Sequence, residues 1–552
     1  FSKENWISLW GDDTDYTGKS ANDRGLPSDA SLPIRKSALT FHAVSFPQYK
    51  DTDSGESPLP RRHGVGIDRT TGAASDGALY EHEFLPRGTR FTIRITAEGR
   101  DGEKMRREQS DGIPEPASSK AIELLLHLIR SLFKSKAISL GGRTGSGQGA
   151  IKVQESNEER QASDDQYLRI VAQSKGIEGK EPVDIVDALT GALTEGPESS
   201  KGTDSSAWVD TQPARIKITW WSPTGIFVAE DEKLTKQRKA QKEAENKEKG
   251  INEEVHEVVY PLRDPSEEWE NAQLLIPGTS IRGALRSRAS RIARTVLAAK
   301  NELSTFASHD LHEQIAAEPN LVRYMFGSTE YRGALTVHDC LSTKSGDCIE
   351  VTHNAIDRWT GGVIDGGLFT EAVYLGTHWE PIKIDIDLRQ LLNNIEAEKG
   401  PEAKREPADA NEAEDSSVER EQPKPTHTDY AHAAYVLLGL VLAELSAGTL
   451  PLGSRSTRGL GQVVVTTIEV EGADREGVDL PSCNFTGCEA LQQSATGAGV
   501  MTDTLYEGQR KLAERVLKHL KDKYKETDWS KRLENGTRAA RKQSEGTGAA
   551  DD

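Results

Sequence analysis

The 552-residue chain carries 69 Lys+Arg against 88 Asp+Glu, a net charge of −19, with 35% hydrophobic residues and a mean hydropathy of −0.61. That length implies more than one domain, the low hydropathy implies segments outside any core, and the acidic sum leaves nucleic-acid binding to local patches only. Four cysteines exclude a disulfide scaffold and fit a reducing compartment, and no apolar run reaches the roughly 18 residues of a membrane span.

The chain starts at Phe1 without methionine or signal peptide, so it reads as part of a longer protein. Leu9-Trp10-Gly11 precedes a strand, ALTFHAVSF from Ala38. IDRTTG (67–72) lies in a glycine-containing loop, followed by a strand RGTRFTIRITAE and a hydrophobic helix AIELLLHLIRSLF from Ala121. LGGRTGSGQG from Leu140 and a short IKV strand close this part. Residues 155–207 are polar and rich in Ser, Gly and Glu, and read as a linker.

A second series opens with the strand RIKITWWSPTGIFVA from Arg215. EKLTKQRKAQKEAENKEKG from Glu232 reads as an exposed helix or a mobile loop. LLIPGTSIRGALRSRASRIAR from Leu274 is a turn entering a helix, and Phe326-Gly327-Ser328 leads to the strand LTVHDC. IDRWTG (356–361) follows, then a Glu/Ala/Pro-rich insertion near 395–428, which reads as a disordered surface loop. After it come the helix AAYVLLGLVLAEL from Ala433, the loop LGSRSTRGLG from Leu452 and the strand VVVTTIEV. A last helix from Tyr506 spaces Leu512, Val516 and Leu520 for docking on one face.

The two series are copies. IDRTTG recurs 289 residues later (67 to 356), LTFHAV recurs as LTVHDC 296 residues later (39 to 335), and the glycine loop recurs 312 residues later (140 to 452). Gly141, Arg143, Gly147 and Gly149 face Gly453, Arg455, Gly459 and Gly461. Order and offset together argue for two homologous domains in tandem. The expected domains are 1–154, a linker 155–210, a second domain 211–470 with insertions at about 232–256 and 395–428, and a C-terminal extension 471–552 with a helix and a disordered end. The first copy lacks the opening strand and helix of the second. Strands and helices alternate without doubly wound units, so the fold class is α+β, helices covering one face of a mostly antiparallel sheet.

Three motifs carry chemistry. Arg282, Arg286, Arg288, Arg291 and Arg294 fall within thirteen residues of PGTSIRGALRSRASRIAR, where Thr279 or Ser280 can cap the helix. Helix N-termini and arginine forks bind phosphate, against the plain alternative of a solvated face. The glycine loops follow a helix and precede a strand, the reverse of a P-loop, and lack its lysine. A helix C-cap with turn explains their glycines, while Arg143, Arg455 and Arg458 suit phosphate contact. Asp68–Arg69 and Asp357–Arg358 fit structural ion pairs or a recognition loop. Cys340/Cys348 and Cys483/Cys488 lack partners for zinc.

On PGTSIRGALR (Pro277, Gly278, Ser280, Gly283), on IDRxTG in both copies and on GSRSTRGLGQ with its partner GGRTGSGQG, the chain resembles the RAMP superfamily of CRISPR effector backbone proteins, and among them type III subunits that assemble along a guide RNA. The full set of motifs covers Arg215 to about Val470, and part of it covers 9–153. The resemblance implies two tandem ferredoxin-like (RRM-like) domains with a protruding hairpin, the first N-terminally incomplete. It implies a prokaryotic cytoplasmic ribonucleoprotein and, as partners, a guide CRISPR RNA, a complementary target RNA, other RAMP subunits and a large signature subunit.

The implied RNA contacts are Arg143, Gly145, Gly147, Ser280, Arg282, Arg286, Arg288, Arg455, Arg458 and Gly459, with Arg69, Arg358 and Trp359 on the hairpins. Family members cleave target RNA with an acidic residue in the loop after the first strand, here about 228–273, and a divalent ion, Mg²⁺, as cofactor. Asp231 and Asp264 are the leading carboxylates and Glu230 the third, although Val258 and Val259 stand near the family's usual aspartate. A non-catalytic scaffold and a guide-processing endoribonuclease using His42 or His338 remain alternatives.

Overall fold

The computed structural model describes residues 39–43, 59–69, 71–91, 95–97, 139–151, 213–252, 255–266, 269, 271–303, 311–400, 425–487, 503–525 and 527–535. The helix expected from Ala121, the linker, most of the insertion near 395–428 and the expected disordered end lie outside them. The chain divides into two compact units. One comprises 1–58, 88–139 and 150–211, and the other 59–87, 140–149 and 212–552. The first contains an antiparallel pair, Leu39–Phe41 with Ile95–Ala97. Two pieces of the first copy, its IDRTTG segment and its glycine loop, are thus built into the second unit.

In that unit, β1 (Arg61–Ile67) and β2 (Ala74–Glu83) form a hairpin with IDRTTG at its tip. β3 (Ala214–Ser222) buries Ala214, Ile216, Ile218 and Trp220 in strict alternation, as a strand on a one-sided core must. α1 (Glu232–Glu248) settles the charged insertion as a helix with Asp231 at its N-cap. α2 (Gly278–Ala299) buries Ile281, Leu285, Ala289, Ala293 and Leu297, three to four residues apart. Pro277 is its N-cap and supplies no side-chain cap, so Thr279 and Ser280 lie inside the first turn instead of capping it.

The short helices α3 (Leu311–Ala316) and α4 (Asn320–Phe326) lead to β4 (Leu335–Val337) and β5 (Cys340–Lys344). β6 (Asp347–Ile356) and β7 (Val363–Leu375) make a second, longer hairpin carrying IDRWTG. β8 (Thr377–Trp379), β9 (Ile382–Ile386), α5 (Leu388–Lys399), α6 (His427–Ser446), β10 (Val464–Glu471) and α7 (Asp503–Lys523) complete the series.

β10 pairs with one edge of β3, while β8 and β9 lie end to end along the other. β9 then pairs with β4, and β8 with β5. Every one of these pairings is antiparallel. Counting β4–β5 and β8–β9 as interrupted strands, the order is fourth, first, third, second, with α2 after the first and α6 after the third. This is the ferredoxin-like arrangement.

α6 starts with a capping box, Thr426 and Asp429 each accepting from the other's backbone, and is buried along nearly its whole length. Gly439 gives α7 a close approach, since a Cβ there would lie 2.7 Å from Leu520. Leu512, Val516 and Leu520 are buried as their spacing requires. Two expected boundaries shift. α5 runs to Lys399 with Ile395 buried, and Val478, Leu480 and Leu533 beyond residue 471 belong to the core.

Candidate nucleic-acid interface

The two glycine loops share one backbone. Arg143 and Arg455 both stand in the left-handed region, at φ 57° and 65°, as do Gly141/Gly453, Gly147/Gly459 and Gly149/Gly461. A non-glycine residue there is uncommon and strained, and it recurs at the arginine of each copy. The surroundings differ. Arg455 Nε and Arg458 Nη1 donate to the two oxygens of Glu371 on β7, at 2.8 and 3.2 Å, and that carboxylate is buried. At the corresponding place in the first copy stands His82, and among the described residues no carboxylate pairs with Arg143. Its guanidinium instead lies 4.7 Å from the Tyr80 ring centroid. Gly64 makes that ring position possible, because a Cβ would lie 2.3 Å from Tyr80. Burial, with Arg143 and Arg62 nearby, pushes the His82 imidazole below its usual range.

The first loop is wedged against the second copy's α2. A Cβ on Gly147 would lie 2.7 Å from the His338 Cα, and one on Gly278 would lie 2.2 Å from the Val337 carbonyl and 2.7 Å from that of Ser146. A Cβ on Gly145 would lie 3.6 Å from the Arg282 guanidinium. The α2 N-terminus, expected to face phosphate, donates its Gly278 N–H to Asp339 Oδ1 at 2.8 Å, and Asp339 is paired with Arg62 at 2.8 Å. Gly278→Ala therefore forces backbone apart in a filled space. A loss of about 1–3 kcal/mol is expected, read as a lowered urea midpoint; an unchanged midpoint would show the loop is not wedged.

The α2 arginines face inward more than a solvated row would. Arg282 donates to the Phe326 carbonyl, and burial lowers it to about 10. Arg286 Nε donates to Glu318 at 2.8 Å, and Glu318, fully buried, also accepts from Arg69 Nε at 2.9 Å. Arg288 pairs with Glu444 at 2.9 Å. Arg294 reaches the Arg69 carbonyl, while Arg291 is exposed and Ser280 half-buried. Asp68 and Arg69 thus form no ion pair with each other; their loop docks on α3 and the turn after it. At the second hairpin tip Arg358 is exposed and Trp359 is 95% exposed.

Of the three carboxylates, Glu230 is buried and accepts from Thr235 at 2.9 Å and from Arg238, which burial lowers to about 10. Asp264 is buried in a local turn, accepting from the Ser266 N–H and hydroxyl at 3.0 and 2.8 Å. Asp231 caps α1 through Lys233 N at 2.8 Å, and its other oxygen lies 3.2 Å from His63 Nε2 on the first hairpin. Burial raises its carboxyl, but the Lys233 N–H and His63 outweigh this and hold it below the usual range. The remaining histidine candidates diverge. His42 is exposed, and His338 Nε2 lies 2.7 Å from Asp385, which also accepts from Arg215. Among the described residues no three His, Cys, Asp or Glu converge on a metal position, and no helix is long and apolar enough to cross a membrane.

A family model described as the RAMP superfamily matches residues 28–152 and 273–464, over half of the chain, once in each copy. The chain belongs to the RAMP superfamily. No curated protein matches it. Among matching solved structures is a chain of "Cryo-EM structure of the Type III-B Cmr-beta bound to cognate target RNA", at 12% identity, covering 64% of this chain and 90% of that one. Its TM-score is 0.25.

Within this RAMP pair the residues that hold the arginines were not legible in sequence. Glu318, Glu371, Asp339 and Gln314 carry no local motif, and His63 lies just outside the IDRTTG signal. The repeat alignment could have found one of them, since it sets Glu371 against His82.

Proposed function

We propose that this chain is a backbone subunit of a type III CRISPR effector, which binds guide RNA and cleaves complementary target RNA. Membership of the RAMP superfamily supports the class. The observation that carries the RNA-binding part is Arg143, an exposed guanidinium on a left-handed backbone without a carboxylate partner among the described residues. Base pairing with the guide sets target choice, and the protein holds the RNA by shape and backbone. Arg455 and Arg458 keep guanidinium donors beyond those given to Glu371. Leu79 and Leu368, at matched hairpin positions, are 70% and 63% exposed and offer apolar contact to unstacked bases or neighbouring subunits. Trp359, at the second hairpin tip, offers an exposed aromatic face to whatever that tip meets in the assembly. Arg143→Ala is expected to weaken guide binding and to reduce the slope of log affinity against log salt by about 1, read by filter binding across a salt titration. An unchanged slope would remove Arg143 from the interface.

Cleavage is assigned to Asp231. The 2′-OH of the target attacks the adjacent phosphorus, its proton passes to the Asp231 carboxylate, and the 5′-oxygen leaves taking a proton from water, giving a 2′,3′-cyclic phosphate and a 5′-hydroxyl. His63, at 3.2 Å, fixes the carboxylate. Where Mg²⁺ takes part, Asp231 would lend it a carboxylate oxygen alongside substrate phosphates and water; Asp231 is half-buried, whereas Glu230 and Asp264 are buried. The other RAMP subunits and the large signature subunit complete the proposed assembly.

A further inference from the structure

The two hairpin tips have the same internal geometry. Asp68 N donates to Ala73 O at 2.9 Å, and Asp357 N to Gly362 O at 2.8 Å; Gly72 and Gly361 donate back to Asp68 and Asp357, both at 2.9 Å. Thr71 N and Thr360 N donate to the aspartate Oδ1 at 2.8 and 2.9 Å. Gly72 and Gly361 take φ +70° and +68°. Each loop is therefore closed by its own hydrogen bonds, and these leave out the second aspartate oxygen, the N–H of the next residue and the arginine side chain.

In the first tip those three groups are all received by one helix and the turn after it. Gln314 Nε2 donates to Asp68 Oδ2 at 2.9 Å, Arg69 N donates to Gln314 Oε1 at 2.8 Å, and Arg69 Nε donates to Glu318 Oε1 at 2.9 Å. The glutamine and glutamate stand four residues apart and are both fully buried. Gly66 completes the fit, since a Cβ there would lie 2.2 Å from Leu311. In the second tip Arg358 is exposed, Trp359 is 95% exposed, and among the described residues nothing outside the loop bonds to Asp357 or Arg358.

We propose that the Asp357–Arg358 tip docks on another RAMP domain, whose helix and following turn present a glutamine and a glutamate four residues apart, as Gln314 and Glu318 do here. This chain's own such face is filled by its first tip, so the partner is a different RAMP polypeptide. Ala355 stands where the first tip has Gly66; the partner's residue at the Leu311 position is therefore smaller than leucine or turned aside. The proposal rests on the reading of the chain as a subunit of an assembly. The charge match of arginine to a buried carboxylate selects a protein here, because RNA phosphates would oppose Asp357.

The test uses the tagged full-length chain with a photo-crosslinking p-benzoylphenylalanine at position 359, irradiated in the native assembly, treated with ribonuclease and mapped by mass spectrometry. The expected cross-link falls on a helix–turn of a second RAMP polypeptide carrying that Gln/Glu pair. A cross-link to RNA alone, to another kind of surface or to nothing overturns the proposal. In parallel, Asp357→Ala with Arg358→Glu is expected to lower recovery of that polypeptide, after ribonuclease, at least tenfold; recovery at the wild-type level overturns it. Arg358→Ala keeps the Asp357 turn and is expected to lower the same recovery with an unchanged urea midpoint; wild-type recovery from this folded variant also overturns the proposal. RNA extracted from the untreated sample reports on guide binding separately, so loss of docking and failure of the functional reading give different results.

Discussion

Glu318→Ala is expected to destabilise the protein by about 3–5 kcal/mol, the usual cost of breaking a buried ion pair by removing one partner. The carboxylate is fully buried, and the side chains of Arg69 and Arg286 are each only 13% exposed. Removing it leaves two largely buried guanidiniums without their shared counter-charge. Arg286 would keep only the Phe326 and Gly327 carbonyls. Because Arg69 belongs to the first copy, the same change should release the β1–β2 tip from α3. Urea unfolding would show the lowered midpoint, and hydrogen exchange would show lost protection in 67–73. An unaltered midpoint with a protected tip would mean that the triad contributes little.

Asp231→Asn is expected to abolish one target cut, by about 10²–10⁴-fold, while leaving assembly and guide content intact. That range is the typical contribution of a positioned general base. Asparagine is the informative replacement because it still caps α1, whereas alanine would also cost about 1 kcal/mol of helix stability. The carboxyl is held below its usual range by the Lys233 N–H and His63, so it is ionised throughout the neutral range. Cleavage rates should then show no loss from Asp231 titration between pH 5 and 8, as model aspartate already titrates near 4. A complete ladder of products from the Asn variant would remove Asp231 from the chemistry and favour the scaffold reading.

Much of the fold was written in local pattern. The alternation in β3, the apolar run of α6 and the spacing of Leu512, Val516 and Leu520 each dictate one element. The repeat pairs the two glycine loops, and they share one backbone, down to left-handed arginines at 143 and 455. What sequence could not show is which arginines are already committed. Arg286, Arg69, Arg455 and Arg458 read as phosphate contacts because their motifs are basic, yet each meets a carboxylate brought by a distant segment. Sequence separations of 32 to 249 residues leave no periodicity to read. The carboxylates split for the same reason. Glu230, Asp231 and Asp264 look alike in sequence, and only tertiary packing commits two of them to internal hydrogen bonds and sets His63 beside the third.

Guide-RNA binding by this RAMP pair is read out by purifying the native assembly through a tag on this chain and sequencing its RNA. The expected RNAs have a defined length, share one repeat-derived end and differ in the remainder. Recovery of the chain without RNA, or with fragments of no common end, would contradict guide binding.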